Sequence, residues 1–428
     1  MPPPAILIAA TTWDSCSARL AQAFALAGSH VTMMSPRGHA ARTLRSVQRH
    51  LPYRALSALA DLRTAIATTQ PAQIIPCDSR AVDHLHLLHA EERAAGDPRH
   101  IAASIERSLG DPAGFAAVRS HSDLLALAAS LSICAPETRR LHNSEDLHAW
   151  RDARAFPWLL RRDGPFVQTR TYIAHSWPQA LAAFASLQRP LSATAALRHL
   201  GRRELFSLLE RARAKPEITV QSHLSGRSAT AMFACHQGEI LGELAVDVLA
   251  TQHLHGAPTM VRTLEAPAIT RSARLLVSHL KLSGFCALDF ILEPSSGEPY
   301  LTRFHPHSTQ LGHLRPHNRP SLASALLGAS QTVPPAMPGH SPTSGYPPTS
   351  GGKIIAFFPH AWHATPREPL LAFASVQHDI PWGEPELIRQ LFTPPRHHLR
   401  GPEQPLALAC SLRSGSLSKI GKLSTPCE

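Results

Sequence analysis

Two neighbouring apolar runs carry the residues best suited to chemistry. GFCALDFIL sets one carboxylate, Asp289, in an apolar strand-like stretch, and after the turn residues Pro294 to Gly297 the run PYLTRFHPH carries Arg303, His305 and His307. Residues two apart on a strand share a face, so Arg303 and His305 point the same way. A carboxylate there is a hard oxygen donor of the kind magnesium takes. An arginine does not shed its proton near neutral pH and is no metal ligand. At about 4 Å from a divalent cation, in an effective dielectric near 20, it would cost about 8 kcal/mol. Two readings follow: Arg303 meets an anion such as a phosphate and replaces part of a metal's charge, or it pairs with Asp289. His305, His307 and His313 also have a spacing that allows a transition-metal centre such as zinc, although with 27 histidines in the chain such clustering arises easily by chance.

The elements that must position these residues follow from periodicity. AILIAA, a helical pattern from Ser17 to Ala27, and an apolar run from Val31 to Met34 form a β-α-β unit. A helical pattern from Leu56 to Ala67 and a short strand from Gln73 to Pro76 continue it, followed by the polar segment CDSRAVDHLHLLH. SHSDLLALAASLSI is an amphipathic helix, PWLLRRDG a strand, and Trp177 to Ala185 and Arg202 to Arg213 are helical. Ile218 to His223 is a strand, and ATAMFACHQG with EILGELAVDVL forms a hairpin about Gln237 and Gly238. Arg271 to Leu282 is a helix with Ala273, Leu276, Val277 and Leu280 on one face. GFCALDFIL and PYLTRF should then pair antiparallel across their tight turn.

The order VQSHLSGR, hairpin, helix, GFCALDFILEPSSGEPYLTRFHPHSTQLGH resembles the C-terminal half of an ATP-grasp domain, and the resemblance runs from roughly residue 5 to residue 330. It implies an α/β and α+β multidomain chain: an N-terminal Rossmann-like pre-ATP-grasp domain over 1–112 and an ATP-grasp fold over 113–330, with a lid subdomain about 157–222. Beyond these, the Pro-, Ser- and Gly-rich stretch 331–353 reads as a flexible linker and 354–428 as a small appendage with a frayed tail.

The resemblance also implies roles. Asp289 takes the place of a metal-holding carboxylate. On the second strand the family's Glu-any-Asn-Pro-Arg pattern falls with Glu at Arg303, Asn at His305 and Arg at His307, so the metal site, Asp289 with His305, is altered. The family's phosphate lysine corresponds to Arg161, or else Arg162. Its glycine-rich loop corresponds to GPFVQTRTY, which has Gly164 alone beside a proline, a poor phosphate cradle. A second phosphate lysine falls near His121, which is otherwise an ordinary surface histidine. The adenine-facing position is Gln221, with Ser222, His223 and Leu224 offering backbone groups. Arg262 and Glu243 lie where relatives place polar active-site groups, and each is equally read as a solvated strand residue. The implied cofactor is ATP, with magnesium doubtful. The implied reaction joins a carboxylate to an amine through an acyl phosphate, and the alternatives are a relative that binds a nucleotide or partner without turnover and an α/β binding protein that uses no nucleotide.

Composition narrows the classes further. A formal charge of +11 is spread without a dense basic block and aromatics are 6%, which disfavours nucleic acid as a partner. The lysines are Lys215, Lys281, Lys353, Lys419 and Lys422, so the first half has none for a phosphate site. Seven cysteines without a CxxC pair read as free thiols. No run approaches the roughly 18 apolar residues of a membrane helix, and no charged region precedes the first apolar run, which places the chain in the cytoplasm.

Overall fold

The computed structural model describes residues 3–163, 170–189, 217–252, 256–316, 320–330, 352–363 and 375–392. AILIA forms β1 (Ala5–Ala9), whose Ile6, Leu7 and Ile8 are fully buried, as suits a parallel strand covered on both faces. The Asp14 carboxylate caps α1 (Ser15–Leu26) by accepting from the Cys16 amide. With β2 (His30–Ser35), β3 (Arg49–Pro52), α2 (Ala58–Thr69) and β4 (Gln73–Pro76) this makes a parallel sheet in the order β3-β2-β1-β4.

The polar segment after β4 is a helix, α3 (Ser79–Ala94), capped by Asp78. Its inner face carries His84, His86 and His89 beside Leu85 and Leu88, all buried. Histidines at apolar-face positions hide the helical period from a hydropathy reading. Further helices follow, among them α4 (Ile101–Leu109), α5 (Phe115–Arg119) and α6 (His121–Ser130).

Among the described residues the second sheet has seven strands in the order β13 (Pro299–His305), β12 (Gly284–Leu292), β9 (Arg227–His236), β10 (Glu239–Thr251), β11 (Pro258–Leu264), β14 (Ile354–Phe357) and β15 (Val376–Asp379). β9 (Arg227–His236) and β10 (Glu239–Thr251) turn through Gln237 and Gly238, with φ of 47° and 87°, the left-handed pair that a tight hairpin needs. β12 (Gly284–Leu292) pairs antiparallel with β9 and with β13 (Pro299–His305). One face of the sheet packs on α1, with Met232, Ala234, Phe285 and Ala287 against Leu20 and Phe24. The other packs on α6 and on α9 (Pro267–His279). That helix starts four residues before the expected Arg271 because Pro267 suits a first turn.

The third sheet is β5-β8-β6-β7, made of β5 (Thr138–Leu141), β6 (Trp158–Asp163), β7 (Arg170–Ala174) and β8 (Glu217–Ser222). Trp158, Leu160, Ile218 and Val220 bury one of its faces with Trp150, Ala180 and Phe184 from α7 (Ser144–Ala153) and α8 (Trp177–Gln188).

The segment after 353 is not a separate appendage at its start. β14 (Ile354–Phe357) pairs with β11 (Pro258–Leu264), and β15 (Val376–Asp379) extends the same sheet. Ile355, Phe357 and Phe358 complete the core shared with α1, so main-chain pairing and apolar burial hold this segment in place. The helix at 202–213, the GPFVQT stretch 164–169, the linker apart from 352 and 353, and the tail after 392 lie outside the described residues.

The N-terminal unit is tied closely to the second sheet, through α4 and through the end of β4 among other contacts. Gly284 has φ of 81°, and a Cβ there would meet the Ser108 carbonyl at 2.4 Å. The Ser308 amide donates to the Pro76 carbonyl at 3.1 Å, which brings the end of β13 against the end of β4. Among the described residues no helix is long and apolar enough to cross a membrane.

Candidate functional site

Strand register puts Asp289 opposite Thr230 on one side and Arg303 on the other. His305, two residues past Arg303, reaches back diagonally, and its Nε2 lies 2.8 Å from Asp289 Oδ2. Burial raises the Asp289 carboxyl, but the charge and hydrogen bond of His305, the Arg303 charge and a bond from Thr230 outweigh it and bring its pKa down to about 2. The partner of the carboxylate is therefore His305 and not Arg303: among the described residues no ion pair to Asp289 involves Arg303.

The three histidines do not share one centre. His305 is bound to Asp289, His307 Nε2 lies 3.2 Å from Ser79 Oγ, and His313 Nε2 lies 2.7 Å from Asp379 Oδ2. Burial, with the neighbouring His305 charge, lowers His307 to about 4, so it is neutral at physiological pH.

Arg161 comes to the same region from the third sheet. It is buried, with 6% of its surface exposed, and it pairs across the strands with Thr171 and Thr219, while Leu159 pairs with Gln221. Since alternate residues share a face, Arg161, Thr219 and Gln221 lie on one side and Trp158 and Leu160 on the other, in the core. His121 stands at the start of α6. Among the described residues its Nε2 is buried without a hydrogen-bond partner, and its pKa is pushed well below the ordinary range by burial and then by Arg161, Arg303 and His305. Side chains from β6 and β13 thus act on one imidazole of α6, and Asp289 stands beside the two from β13, Arg303 and His305.

Arg140 fixes this geometry. From β5 it reaches Asp123 Oδ1 of α6 and Glu217 Oε1 of β8, each at 2.6 Å, and donates to Ser120 and Ser122. It ties the third sheet to the helix that carries His121. Neither Arg140 nor Thr230 belongs to a recognisable motif, and only the register reveals them.

At the end of β8 the amides of Ser222 and His223 donate to the carbonyls of Glu137 and Pro157 at 3.1 and 3.2 Å. Those two N–H groups are committed to the protein, while the Leu224 N–H and the Gln221 side-chain amide have no such partner among the described residues. Arg262 stands apart. It pairs with Asp247, which pairs with Ala229 and through it with Phe290, so it lies on the sheet face opposite Asp289, and it is exposed. Glu243 pairs with Phe233, whose parity also differs from that of Thr230.

A parallel α/β unit followed by a seven-stranded and a four-stranded sheet is the arrangement of the ATP-grasp fold. Among solved structures the chain is similar to N5-carboxyaminoimidazole synthetase from Staphylococcus aureus, at 10% identity over 77% of this chain and 78% of that one, with a TM-score of 0.54. It is also similar to biotin carboxylase from Campylobacter jejuni, at 12% identity over 78% and 72% with a TM-score of 0.52. For an L-amino acid ligase from Bacillus licheniformis the values are 13%, 72% and 69%, and 0.50. At these identities the likeness is one of fold. No protein-family model matches the sequence, and no curated protein does.

Proposed function

We propose that the chain binds an adenine nucleotide in the cleft between the second and third sheets. Arg161 and Arg303 meet the phosphates, His121 lies between them, and Gln221 with the Leu224 amide faces the base. The observation that carries this reading is that Arg161 of β6 and Arg303 and His305 of β13 act together on His121 of α6, with Arg303 across the strand pair from Asp289 and His305 bonded to it. Arginine is suited to the task because its planar fork donates two bonds to one phosphate. Gln221 offers both an acceptor and a donor to an adenine edge.

The donor set does not fit magnesium. That ion asks for several oxygens in near-octahedral geometry, whereas here one carboxylate, already bound to His305, faces an arginine and an imidazole. No step is therefore routed through a metal, and the positive side chains are the groups that offset phosphate charge. The three solved structures named above are a synthetase, a carboxylase and a ligase. By that kinship the reaction the cleft is built for is ATP-dependent joining of a carboxylate to an amine through an acyl phosphate. In it, bound ATP supplies the phosphoryl group. Arg161 and Arg303 would orient and neutralise the transferring charge. The crevice at the carboxyl ends of β1 and β4, where Thr11 donates to Asp78 at 2.7 Å near His307, is the place in such a sheet for a second substrate.

A second reading, nucleotide binding without turnover, is favoured by the His305 to Asp289 bond, because it occupies the carboxylate a catalytic metal would need. Calorimetry with ATP, alone and with magnesium, tests the shared part: binding should appear without the metal. Phosphate release in the presence of candidate acids and amines then separates the readings, since release above the ATP-only rate supports the ligase and its absence supports the binding protein.

A further inference from the structure

We propose that Asp14, Cys16 and His360 form a binding site for one zinc-class divalent ion, outside the nucleotide cleft. The three residues come from the start of α1 and from α11 (His360–His363), 344 positions apart between Cys16 and His360, and one ligand atom from each lies within 4.8 Å of the others. A tetrahedral zinc centre with bonds of about 2.0 to 2.3 Å brings neighbouring ligand atoms to roughly 3 to 4 Å, so a small side-chain closure suffices.

The donor set selects the ion. Sulfur, imidazole nitrogen and one carboxylate oxygen suit zinc or cobalt and are poor for magnesium or calcium, which take oxygen. Asp14 Oδ1 accepts from the Cys16 amide at 3.0 Å, which fixes the carboxylate and leaves Oδ2 for an ion. Gln252 Nε2 lies 2.5 Å from His360 Nδ1 and donates to it. Turning that amide over, which exchanges its nitrogen and oxygen within the same outline, lets its carbonyl accept Nδ1–H, and the Nε2 lone pair, 3.4 Å from Ser15 Oγ, then faces the start of α1. An oriented second nitrogen of this kind is the usual support of a metal-bound histidine.

A thiolate, a carboxylate, a neutral imidazole and a divalent ion sum to zero charge, so the bound site carries no net charge. Three protein ligands leave a fourth position open to water or an anion. The bond would also join α11, which follows the 331–351 stretch, to the N-terminal sheet.

The test uses the full chain, stripped with a chelator and containing no nucleotide, so its outcome is independent of the cleft. Zinc is titrated by calorimetry in two buffers of different ionisation enthalpy, and cobalt(II) is followed by absorption. The expected result is one ion per chain, about one proton released, and a sulfur-to-cobalt charge-transfer band. Cys16→Ser should abolish the band, His360→Ala should remove stoichiometric binding, and Gln252→Ala should weaken it about 10- to 100-fold. Cys134→Ser, at a partly exposed thiol elsewhere, should change nothing. Melting curves of each variant confirm folding. A zinc stoichiometry well below one, or a cobalt band that survives Cys16→Ser in folded protein, overturns the proposal.

Discussion

His305 Nε2 lies 2.8 Å from Asp289 Oδ2, while Arg303 stands directly across the strand pair from the same carboxylate. A single acid is thus held between an imidazole and a guanidinium, in a strand pair where a metal-binding fold would carry acids and amides. On the proposed reading, cationic side chains there receive the phosphates.

The low pKa of Asp289, about 2, makes its charge a source of stability. A carboxyl whose folded pKa lies below the unfolded value of roughly 3.9 stabilises above that value, and the contribution is lost as pH falls through the folded pKa. Because its side chain is 36% exposed, the effect is screened. Asp289→Asn should cost about 1 kcal/mol at pH 7 and almost nothing near pH 2. Urea unfolding at both values measures this, and an equal loss at both would show that packing, not charge, is responsible.

Introducing acid and amide ligands should create metal dependence. Arg303→Glu with His305→Asn creates an oxygen-rich pair of strands beside Asp289. Magnesium should then raise ATP affinity by about tenfold or more, equivalent to about 1.4 kcal/mol. If the double variant folds and magnesium still has no effect, the strand pair does not retain a metal-binding geometry.

Arg161 and Arg262 separate the cleft from its surroundings. Removing a buried arginine that bonds a phosphate should cost about 1.5 to 3 kcal/mol, so Arg161→Ala should weaken ATP binding roughly 10- to 150-fold. Arg262→Ala, on the opposite face, should leave it within about twofold, since no phosphate contact is lost there. Equal losses in the two variants, read by calorimetry, would place the nucleotide elsewhere.

The buried histidines of α3 make the N-terminal unit acid-sensitive. Burial, aided by nearby positive charge, lowers His84 to about 4 and His86 to about 3, from 6.5. Below pH 6.5 the unfolded chain takes up these protons first, so stability falls steadily from pH 6.5 toward 3, by about 1.4 kcal/mol per unit for each titrating site. His86 stacks on Phe115 at 4.0 Å, and His86→Gln should flatten that slope by close to one proton. An unchanged slope between pH 6 and 4 would rule out His86 as its source.

Much of the fold was legible because the decisive runs obey simple periods. GFCALDFIL and PYLTRF, the turn at Gln237 and Gly238 and the strand from Gln73 to Pro76 all stand where pattern and turn residues put them. α3 was not legible, since its inner face is built from histidines. The pairing of β14 with β11 is a contact between residues some 90 positions apart, which no local pattern encodes. In the cleft, residue types flagged Asp289 and Arg303 and left either a phosphate contact or an ion pair for the arginine; the reach of His305 across the pleat is a matter of register and rotamer. Arg140 and Thr230 were hidden for the same reason, and the face occupied by Arg262 follows only from counting pairs back through Asp247 and Ala229.

The claim on which the account rests is that cationic side chains, in place of a metal, receive the phosphates of an adenine nucleotide. Calorimetric titration of the chelator-treated chain with ATP, repeated across a range of magnesium concentrations, tests it most directly. The account predicts saturable one-to-one binding without magnesium and an affinity that changes by less than about threefold when the ion is added, under 1 kcal/mol. Binding that appears only with magnesium, or no heat with ATP under either condition, would contradict it.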